Sequence, residues 1–318
     1  MENSALLQKA VDIKNEIKKV VMGKDEVIEK ILTAVIAKGH ILLEDIPGVG
    51  KTTLALAFSK TMSLSYNRVQ FTPDVLPTDI TGFSLYDKNT GKFVYKQGAA
   101  FCNLFLADEI NRTSSKTQSA LLEMMEEGSV TVDGVTRVLP EPFIVIATEN
   151  PIGSVGTQML PESQLDRFTV CLSMGYPDAI SEVSILKSRQ GVNPLDTVAS
   201  IATIQDVMEM QAAVENIFTD DKIYRYIAEL SAKTRENEFL KLGLSPRGSL
   251  SIAALARAHA FLSGRNFVIP DDVAAVFADA SAHRLVLSPK AKAASMSAVG
   301  ILEDILKTVG APAVAKNK

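Results

Sequence analysis

The amino-acid sequence predicts a three-layer α/β fold, with a parallel sheet between two layers of helices, followed by a small all-α domain. Between residues 41 and 172, short apolar runs follow one another that are too short for independent helices and do not strictly alternate. Such runs are typical of parallel strands buried on both faces. The runs are Ile41–Leu43, Val69–Phe71, Leu104–Ala107, Phe143–Ala147 and Phe168–Leu172. Helical patterns at Thr53–Thr61 and Lys116–Glu126 separate some of them, which implies right-handed crossovers.

Two helices are predicted ahead of the first strand. Apolar residues recur at intervals of three and four from Leu6 to Val20. A second pattern of this kind runs from about Lys24 to Lys38 and stops at Gly39, a residue that commonly ends helices. The sequence therefore predicts two amphipathic helices before the first strand.

Two β-hairpins interrupt the alternation of strands and helices. The first is predicted within Tyr86–Tyr95, with its turn at Asn89–Gly91. The second is predicted within Ser129–Val138, with its turn at Asp133-Gly134. The aromatic side chains of the first hairpin are open to two interpretations, packing within the hairpin or contact with another protein.

Strand signals vanish after Gly175, and the rest of the chain reads as helices. These are Ala179–Arg189, Ile204–Val214, Asp220–Thr234, Ser249–Leu262, Asp271–Ala282 and Ser297–Lys307. Thr219 is predicted to cap one helix, and Pro270 suits the start of another. A chain of 318 residues agrees with about two domains at roughly 150 residues each. We therefore predict an α/β domain over residues 1–175 and an all-α domain over residues 176–318.

The composition excludes several classes of protein. Hydrophobic residues make up 47% and charged residues 22%, which is ordinary for a soluble globular chain and excludes disorder. A net charge of −4 favours neither a nucleic-acid binder nor a polybasic membrane protein. No apolar run reaches the roughly 18 residues of a membrane span, and the first residues do not predict a signal peptide. With two cysteines, Cys102 and Cys171, no disulfide framework is expected, so a cytoplasmic location is predicted.

A glycine-containing loop joins the first predicted strand to the helix after it. Glycines let backbone N–H groups curl around phosphate oxygens, and the helix that follows points its positive end at the anion. Lys51 would reach the β- and γ-phosphates, and the Thr52 hydroxyl would bind Mg²⁺. Asp45 stands where the usual pattern has its first glycine. The residues expected to bind nucleotide are Gly48, Val49, Gly50, Lys51, Thr52 and Thr53.

Two carboxylates end the buried strand Leu104–Ala107. Ligands of open α/β sheets bind at the carboxyl ends of the strands. Asp108 would hold Mg²⁺ through its water shell, and Glu109 would orient and polarise the attacking water. The order of the two motifs therefore predicts phosphoryl transfer to water.

Three weaker signals follow along the chain. Asn150 ends the next predicted strand, where an amide can hydrogen-bond a γ-phosphate or the lytic water. Arg167 stands in Leu165–Phe168, and Arg247 follows Ser245-Pro246 at the start of a predicted helix. Each of these is common by chance, and an acidic run at Glu123, Glu126 and Glu127 is interpreted as a solvated helix end. The order of the signals gives them weight.

That order resembles the AAA+ ATPases, and more narrowly the MoxR family. The narrower resemblance covers nearly the whole chain, and Asp45 is an accepted variant within it. The two hairpins are similar to the helix-2 and pre-sensor-1 insertions of that AAA+ branch. The stretches that carry the resemblance are Glu44–Thr52, Gln70–Gly82, Ala107–Arg112 and Leu160–Phe168.

The resemblance implies a role for each matching residue. Lys51 and Thr52 correspond to the Walker A motif, and Asp108 and Glu109 to Walker B. Asn150 corresponds to sensor 1, Arg167 to the arginine finger and Arg247 to sensor 2, and Val21–Lys24 falls where such proteins contact adenine. The implied cofactors are ATP and Mg²⁺, and the implied assembly is a hexameric ring in which Arg167 acts on a neighbouring subunit.

The resemblance also implies a function. ATP hydrolysis would move the helical lid, where Arg247 contacts phosphate only while ATP is present, and the hairpins would transmit the motion. The expected outcome is chaperone-like remodelling, maturation or activation of a partner protein complex, and members of the family commonly act with a partner bearing a von Willebrand factor A domain. Two alternatives stay open: a helicase-like nucleic-acid motor, against which the acidic balance and the lack of a recognisable DNA-binding module argue, and a nucleotide-gated scaffold.

Overall fold

The computed structural model describes residues 2–150, 159–188 and 193–312. Its strands are β1 (Ile41–Glu44), β2 (Tyr66–Gln70), β3 (Gly82–Asp87), β4 (Lys92–Gln97), β5 (Leu104–Asp108), β6 (Ser129–Val132), β7 (Val135–Val138), β8 (Ile144–Glu149), β9 (Val170–Leu172), β10 (Leu240–Leu242) and β11 (Val286–Leu287). Its α-helices are α1 (Glu2–Lys18), α2 (Asp25–Ile36), α3 (Lys51–Thr61), α4 (Pro77–Thr81), α5 (Ser115–Glu127), α6 (Glu162–Leu165), α7 (Ala179–Ser188), α8 (Ile204–Glu215), α9 (Asp221–Glu236), α10 (Pro246–Leu262), α11 (Pro270–Ser281), α12 (Pro289–Ala293) and α13 (Ala298–Thr308).

The central sheet contains the five predicted strands in the order β2-β5-β8-β1-β9, and all of its neighbours are parallel. Every residue of β5 and β8 is buried, which explains the continuous apolar runs in the sequence. Because the strands are parallel, their carboxyl ends meet at one edge of the sheet and their amino ends at the other. This division decides which functional residues lie together.

Successive residues of the strands pack alternately in two apolar cores, one on each face of the sheet. Leu104 and Leu106 pack in one core with residues of α1, α2 and α3. Phe105 and Ala107 pack in the other core with residues of α4 and α5. The pleat of a strand imposes this alternation, so helices cover both faces of the sheet and the predicted three-layer α/β/α arrangement is confirmed.

Both predicted hairpins are present as antiparallel pairs. In the first, β3 pairs with β4, and Tyr86 lies opposite Phe93 with the two rings edge to face at 5.5 Å. In the second, β6 pairs with β7 through a turn in which Asp133 and Gly134 both have positive φ. The hairpins touch each other, since the guanidinium of Arg137 lies 3.7 Å from the centre of the Tyr95 ring.

The carboxyl-terminal part is helical as predicted, and it also contains the short helix α12 and two short strands. Strands β10 and β11 form a short antiparallel pair, which is too short to give a periodic sequence signal. Asp220, rather than the predicted Thr219, caps α9 by accepting a hydrogen bond from the backbone of Lys222. Pro270 is the first residue of α11, as expected. Among the described residues, no helix combines the length and apolar character needed to cross a membrane.

The carboxyl-terminal helices share an apolar core with the first three helices and the sheet. Gln211 of α8 donates a hydrogen bond to the carbonyl of Val35 at 2.9 Å. The backbone N–H of Ala202 likewise donates to Thr61 O at 3.0 Å. The separation into residues 1–175 and 176–318 therefore remains a prediction, because packing is continuous across it.

Candidate functional site

The loop between β1 and α3 has the backbone that a phosphate cradle requires. Gly48 and Gly50 have φ values of 84° and 99°, a region that other residues rarely adopt. A Cβ added at Gly48 would meet nothing within 4 Å, so the backbone conformation rather than crowding requires glycine there. Helix α3 begins directly at Lys51 and has no acidic side chain in its first turn. Its free N–H groups and positive dipole end suit an anion.

The side chain of Lys51 folds back over this loop. Its ammonium donates hydrogen bonds to Asp45 O at 2.9 Å and to Ile46 O at 3.3 Å. Burial lowers the pKa of Lys51, and the negative charges of Asp45, Asp108 and Glu109 oppose that shift. The ammonium is therefore held at the loop by two backbone carbonyl groups.

The sequence showed only that Asp45 replaces the first glycine of the usual pattern, whereas the structure gives its side chain a structural role. Its Oδ2 accepts hydrogen bonds from the backbone N–H groups of Met174 and Gly175, the latter at 2.9 Å. These residues follow β9 and lead into the carboxyl-terminal helices. The carboxylate therefore ties the phosphate loop to the start of the helical part.

Asp108 and Glu109 lie at the same edge of the sheet as the loop. Asp108 Oδ1 accepts a hydrogen bond from the Thr148 hydroxyl at 2.6 Å, and that hydroxyl accepts from the Glu109 N–H at 2.8 Å. Glu109 has a left-handed backbone, with φ 56°, and its carboxylate pairs with Arg112 at 2.7 Å. Arg68 of β2 pairs with Asp108 Oδ2 at 2.6 Å. Each carboxylate thus has an arginine partner.

Asn150 follows β8 and reaches the same edge. The register of β5 and β8 pairs Ala107 with Ala147, so Asn150 lies about two residues beyond the level of Asp108. The side chain of Asn111 donates to the backbone carbonyl of Asn150 at 3.3 Å. Just before it, burial and the nearby Glu44 charge raise the pKa of Glu149 to about 7.

A pocket of about 350 Å³ opens beside the phosphate loop. It is lined by residues 47–50 of the loop, by Val21, Met22 and Lys24, and by residues of α7. Its size falls within the range of small-molecule sites. The segment that resemblance links with adenine thus lies in the same pocket as the phosphate loop.

Arg167 and Arg247 lie together at the opposite edge of the sheet. Arg167 contacts Glu126 at 2.5 Å and donates to Leu122 O at 2.9 Å. Arg247 also pairs with Glu126. Glu126 lies at an exposed helix end, as expected from the sequence, and its carboxylate is also shared by two arginines from distant segments.

The position of this arginine pair follows from the strand direction. Arg167 precedes β9, and the N–H of Thr169 donates to His40 O, ahead of β1, at 2.8 Å. His40 also hydrogen-bonds Met125 O at 2.9 Å, near the end of α5 that carries Glu126. The phosphate loop comes after β1, so the height of the sheet, about 13 Å for four residues, separates the arginines from it. In this structure Arg247 lies away from the phosphate loop of its own chain, and its role as sensor 2 stays a prediction.

Several of these residues escaped sequence reasoning. Arg68, Thr148 and Arg112 contact the two acidic residues, yet the sequence assigned a role to none of them. Arg112 stands three residues after Glu109, so local spacing was a usable signal. Arg68 and Thr148 lie on other strands, and only the register reveals them.

Comparisons with known proteins agree with this geometry. Residues 40–170 match the ATPase family associated with various cellular activities (AAA), and residues 232–305 match the AAA lid domain. The chain is 46% identical to the uncharacterized protein YeaC of Bacillus subtilis, over 96% of this chain and 95% of that protein. It is 39% identical to the chaperone MoxR1 of Mycobacterium tuberculosis, over 94% of this chain and 81% of that protein.

A solved structure is similar over its whole length. The crystal structure of a candidate ATPase from Cytophaga hutchinsonii matches with a TM-score of 0.90 and 36% identity, covering 98% of this chain and 97% of that chain. The extent of these similarities, together with the geometry of the site, shows that the chain belongs to the MoxR family of AAA+ ATPases.

Proposed function

We propose that the protein binds ATP with Mg²⁺ at the phosphate loop and hydrolyses it to remodel, mature or activate a partner protein complex. The observation that carries the proposal is the convergence of the loop, Asp108, Glu109 and Asn150 at one edge of the sheet. Family membership supports an ATPase, and the pocket beside the loop offers room for a nucleoside.

The residues at this edge fit Mg²⁺ and a triphosphate. The Thr52 hydroxyl and the Asp108 carboxylate are the hard oxygen ligands that Mg²⁺ prefers. When bound, the metal neutralises charge on the phosphates. Lys51 would exchange its loop carbonyls for phosphate oxygens, Glu109 would orient the attacking water, and Asn150 would hydrogen-bond that water or the γ-phosphate.

Arg167 and Arg247 support a shared site between two copies of the chain. Both guanidinium groups lie across the sheet from their own phosphate loop, so we infer that they serve the loop of a neighbour. Contacts of this head-to-tail kind close into rings, and six subunits is the number that the family resemblance implies. An arginine supplied in trans accelerates phosphoryl transfer by several orders of magnitude.

The two hairpins are the proposed contact with the partner protein. Phe93 at the first hairpin and Val138 at the second are 75% and 71% exposed. Large apolar side chains exposed in this way favour contact with another protein. The resemblance implies that this partner carries a von Willebrand factor A domain. The MoxR1 relative is named a chaperone, which agrees with this proposal.

Glu109→Gln tests the proposal. The variant should bind ATP but hydrolyse it at least about 100-fold more slowly, since it loses the group that activates water. Glu127→Gln, at an exposed position of α5, is the matched control and should behave as the wild type. Unchanged turnover in Glu109→Gln would contradict the assigned role.

The same variant tests the partner. Held in ATP, Glu109→Gln should retain a partner protein in a pull-down that the wild type releases. Recovery of nucleic acid alone, with ATPase activity that DNA stimulates in a salt-sensitive manner, would instead support the nucleic-acid motor.

A further inference from the structure

Arg68 lies on β2, at the edge of the sheet, and its side chain crosses to the end of β5. In the parallel register Arg68 pairs with Leu106, and Gln70 pairs with Asp108. The guanidinium contacts Asp108 Oδ2 through Nε at 3.2 Å and through Nη2 at 2.6 Å. Because Thr148 already occupies Oδ1, both oxygens of Asp108 are engaged by side chains of the protein.

The two members of this ion pair differ in exposure. The side chain of Asp108 is 12% exposed, whereas that of Arg68 is 44% exposed. A carboxylate so deeply buried needs a nearby positive charge or hydrogen-bond donors. The half-exposed guanidinium supplies that charge from the solvent side.

The Arg68 side chain is also accessible to solvent, so another cation is able to displace it from Asp108. It belongs to an edge strand whose residues are largely exposed, and its second partner is the exposed Gln70 at 3.0 Å. Thr148, in contrast, is fully buried and fixed within β8. The carboxylate of Asp108 therefore has one permanent partner on Oδ1 and one replaceable partner on Oδ2.

We propose that Arg68 is a displaceable cation that stabilises Asp108 in the metal-free chain and competes with Mg²⁺ for the Oδ2 side of its carboxylate. The inference rests on the proposed Mg²⁺-ATP site. A guanidinium and a hydrated divalent cation both satisfy the buried charge, and both cannot occupy the same side of it. Arg68 is thus a positioning residue that sets how much metal the site requires.

The direction in which metal affinity changes when Arg68 is removed distinguishes competition with the metal from mere orientation of Asp108. If Arg68 only orients Asp108, its removal weakens metal binding. If Arg68 competes, its removal strengthens metal binding, because the metal no longer displaces a cation or approaches one. The expected gain in metal affinity is roughly fivefold, which corresponds to the energy of a half-exposed ion pair.

Binding of Mn²⁺, measured by electron paramagnetic resonance in the presence of ADP, tests the proposal without any readout of hydrolysis. Arg68→Gln should bind Mn²⁺ roughly fivefold more tightly than the wild type, and Arg68→Lys, which keeps the charge, should lie between them. Arg225→Gln on the exposed face of α9 is the matched control and should equal the wild type. Unchanged or weaker Mn²⁺ binding in Arg68→Gln would overturn the competition.

Binding of a fluorescent ADP in EDTA distinguishes a failure of the proposed nucleotide site from a failure of the role proposed for Arg68. The wild type and Arg68→Gln should bind it equally, since the phosphate loop is unchanged. If the wild type binds no nucleotide with or without metal, the proposed function itself is overturned, and the inference falls with it. If both bind nucleotide and the Mn²⁺ affinities coincide, only the role of Arg68 is overturned.

Discussion

The hydroxyl of Thr148 joins the two acidic residues at the end of β5, and its removal is a measurable perturbation. It donates to Asp108 Oδ1 at 2.6 Å and accepts from Glu109 N at 2.8 Å. Thr148→Val keeps the volume of the side chain but leaves both groups without this partner. A hydrogen bond to a charged group contributes roughly 1.5–3 kcal/mol and a neutral one roughly 1 kcal/mol. We therefore expect the free energy of unfolding to fall by about 2–4 kcal/mol.

Urea denaturation followed by circular dichroism measures this effect, with midpoints compared at equal slopes. Thr148→Ser is the matched variant, because it keeps the hydroxyl and loses one buried methyl group, at a cost of about 1 kcal/mol. The valine variant should therefore be the less stable of the two. A valine variant within about 0.5 kcal/mol of wild type, or more stable than the serine variant, would refute the reasoning.

Two further predictions concern stability. Because burial raises the pKa of Glu149 to about 7, the folded chain holds this proton more tightly than the unfolded chain. The contribution of Glu149 to the free energy of unfolding therefore falls by up to about 3 kcal/mol as the pH rises from about 4.5 to about 7. In urea titrations across this pH range, Glu149→Gln should not show that fall. Arg284 is buried and pairs with Asp166 at 2.9 Å, so Arg284→Met should cost about 3–5 kcal/mol, whereas Arg247→Met, at a half-exposed pair, should cost under about 1 kcal/mol.

These two predictions have clear contrary outcomes. A constant difference between Glu149→Gln and wild type at every pH would mean that Glu149 is not protonated in the folded chain near neutrality. Equal destabilisation by Arg284→Met and Arg247→Met would mean that Arg247 is a structural residue like Arg284.

The parts of the fold that were predictable are those encoded by local patterns. Apolar runs predicted the five strands of the sheet, and Asp133-Gly134 predicted a hairpin turn, because each depends on residues adjacent in the chain. The strands β10 and β11 were missed, since two or three residues cannot show a period. The apolar core that the carboxyl-terminal helices share with the sheet domain was not predicted either, because it depends on contacts between segments that are far apart in the sequence.

The same distinction holds for the site. Lys51 and Asp108 were predictable because a motif and a strand end mark them. Thr148 and Arg68 act on Asp108 from residues 40 positions away on either side, which only the strand order brings together. The exposed helix end at Glu126 was predicted, but its partners were not, because nothing in its own segment indicates that Arg167 and Arg247 converge on it.

The central claim is that one ATP site is built from two copies of the chain, and mixing two inactive variants tests it most directly. Lys51→Ala removes the phosphate contact but keeps Arg167, and Arg167→Ala keeps the phosphate loop but lacks the arginine. Each variant alone should hydrolyse ATP slowly, and mixing them should restore activity at interfaces that pair an intact loop with an intact arginine. Full activity of Arg167→Ala alone, or a mixture no more active than its components, would contradict the account.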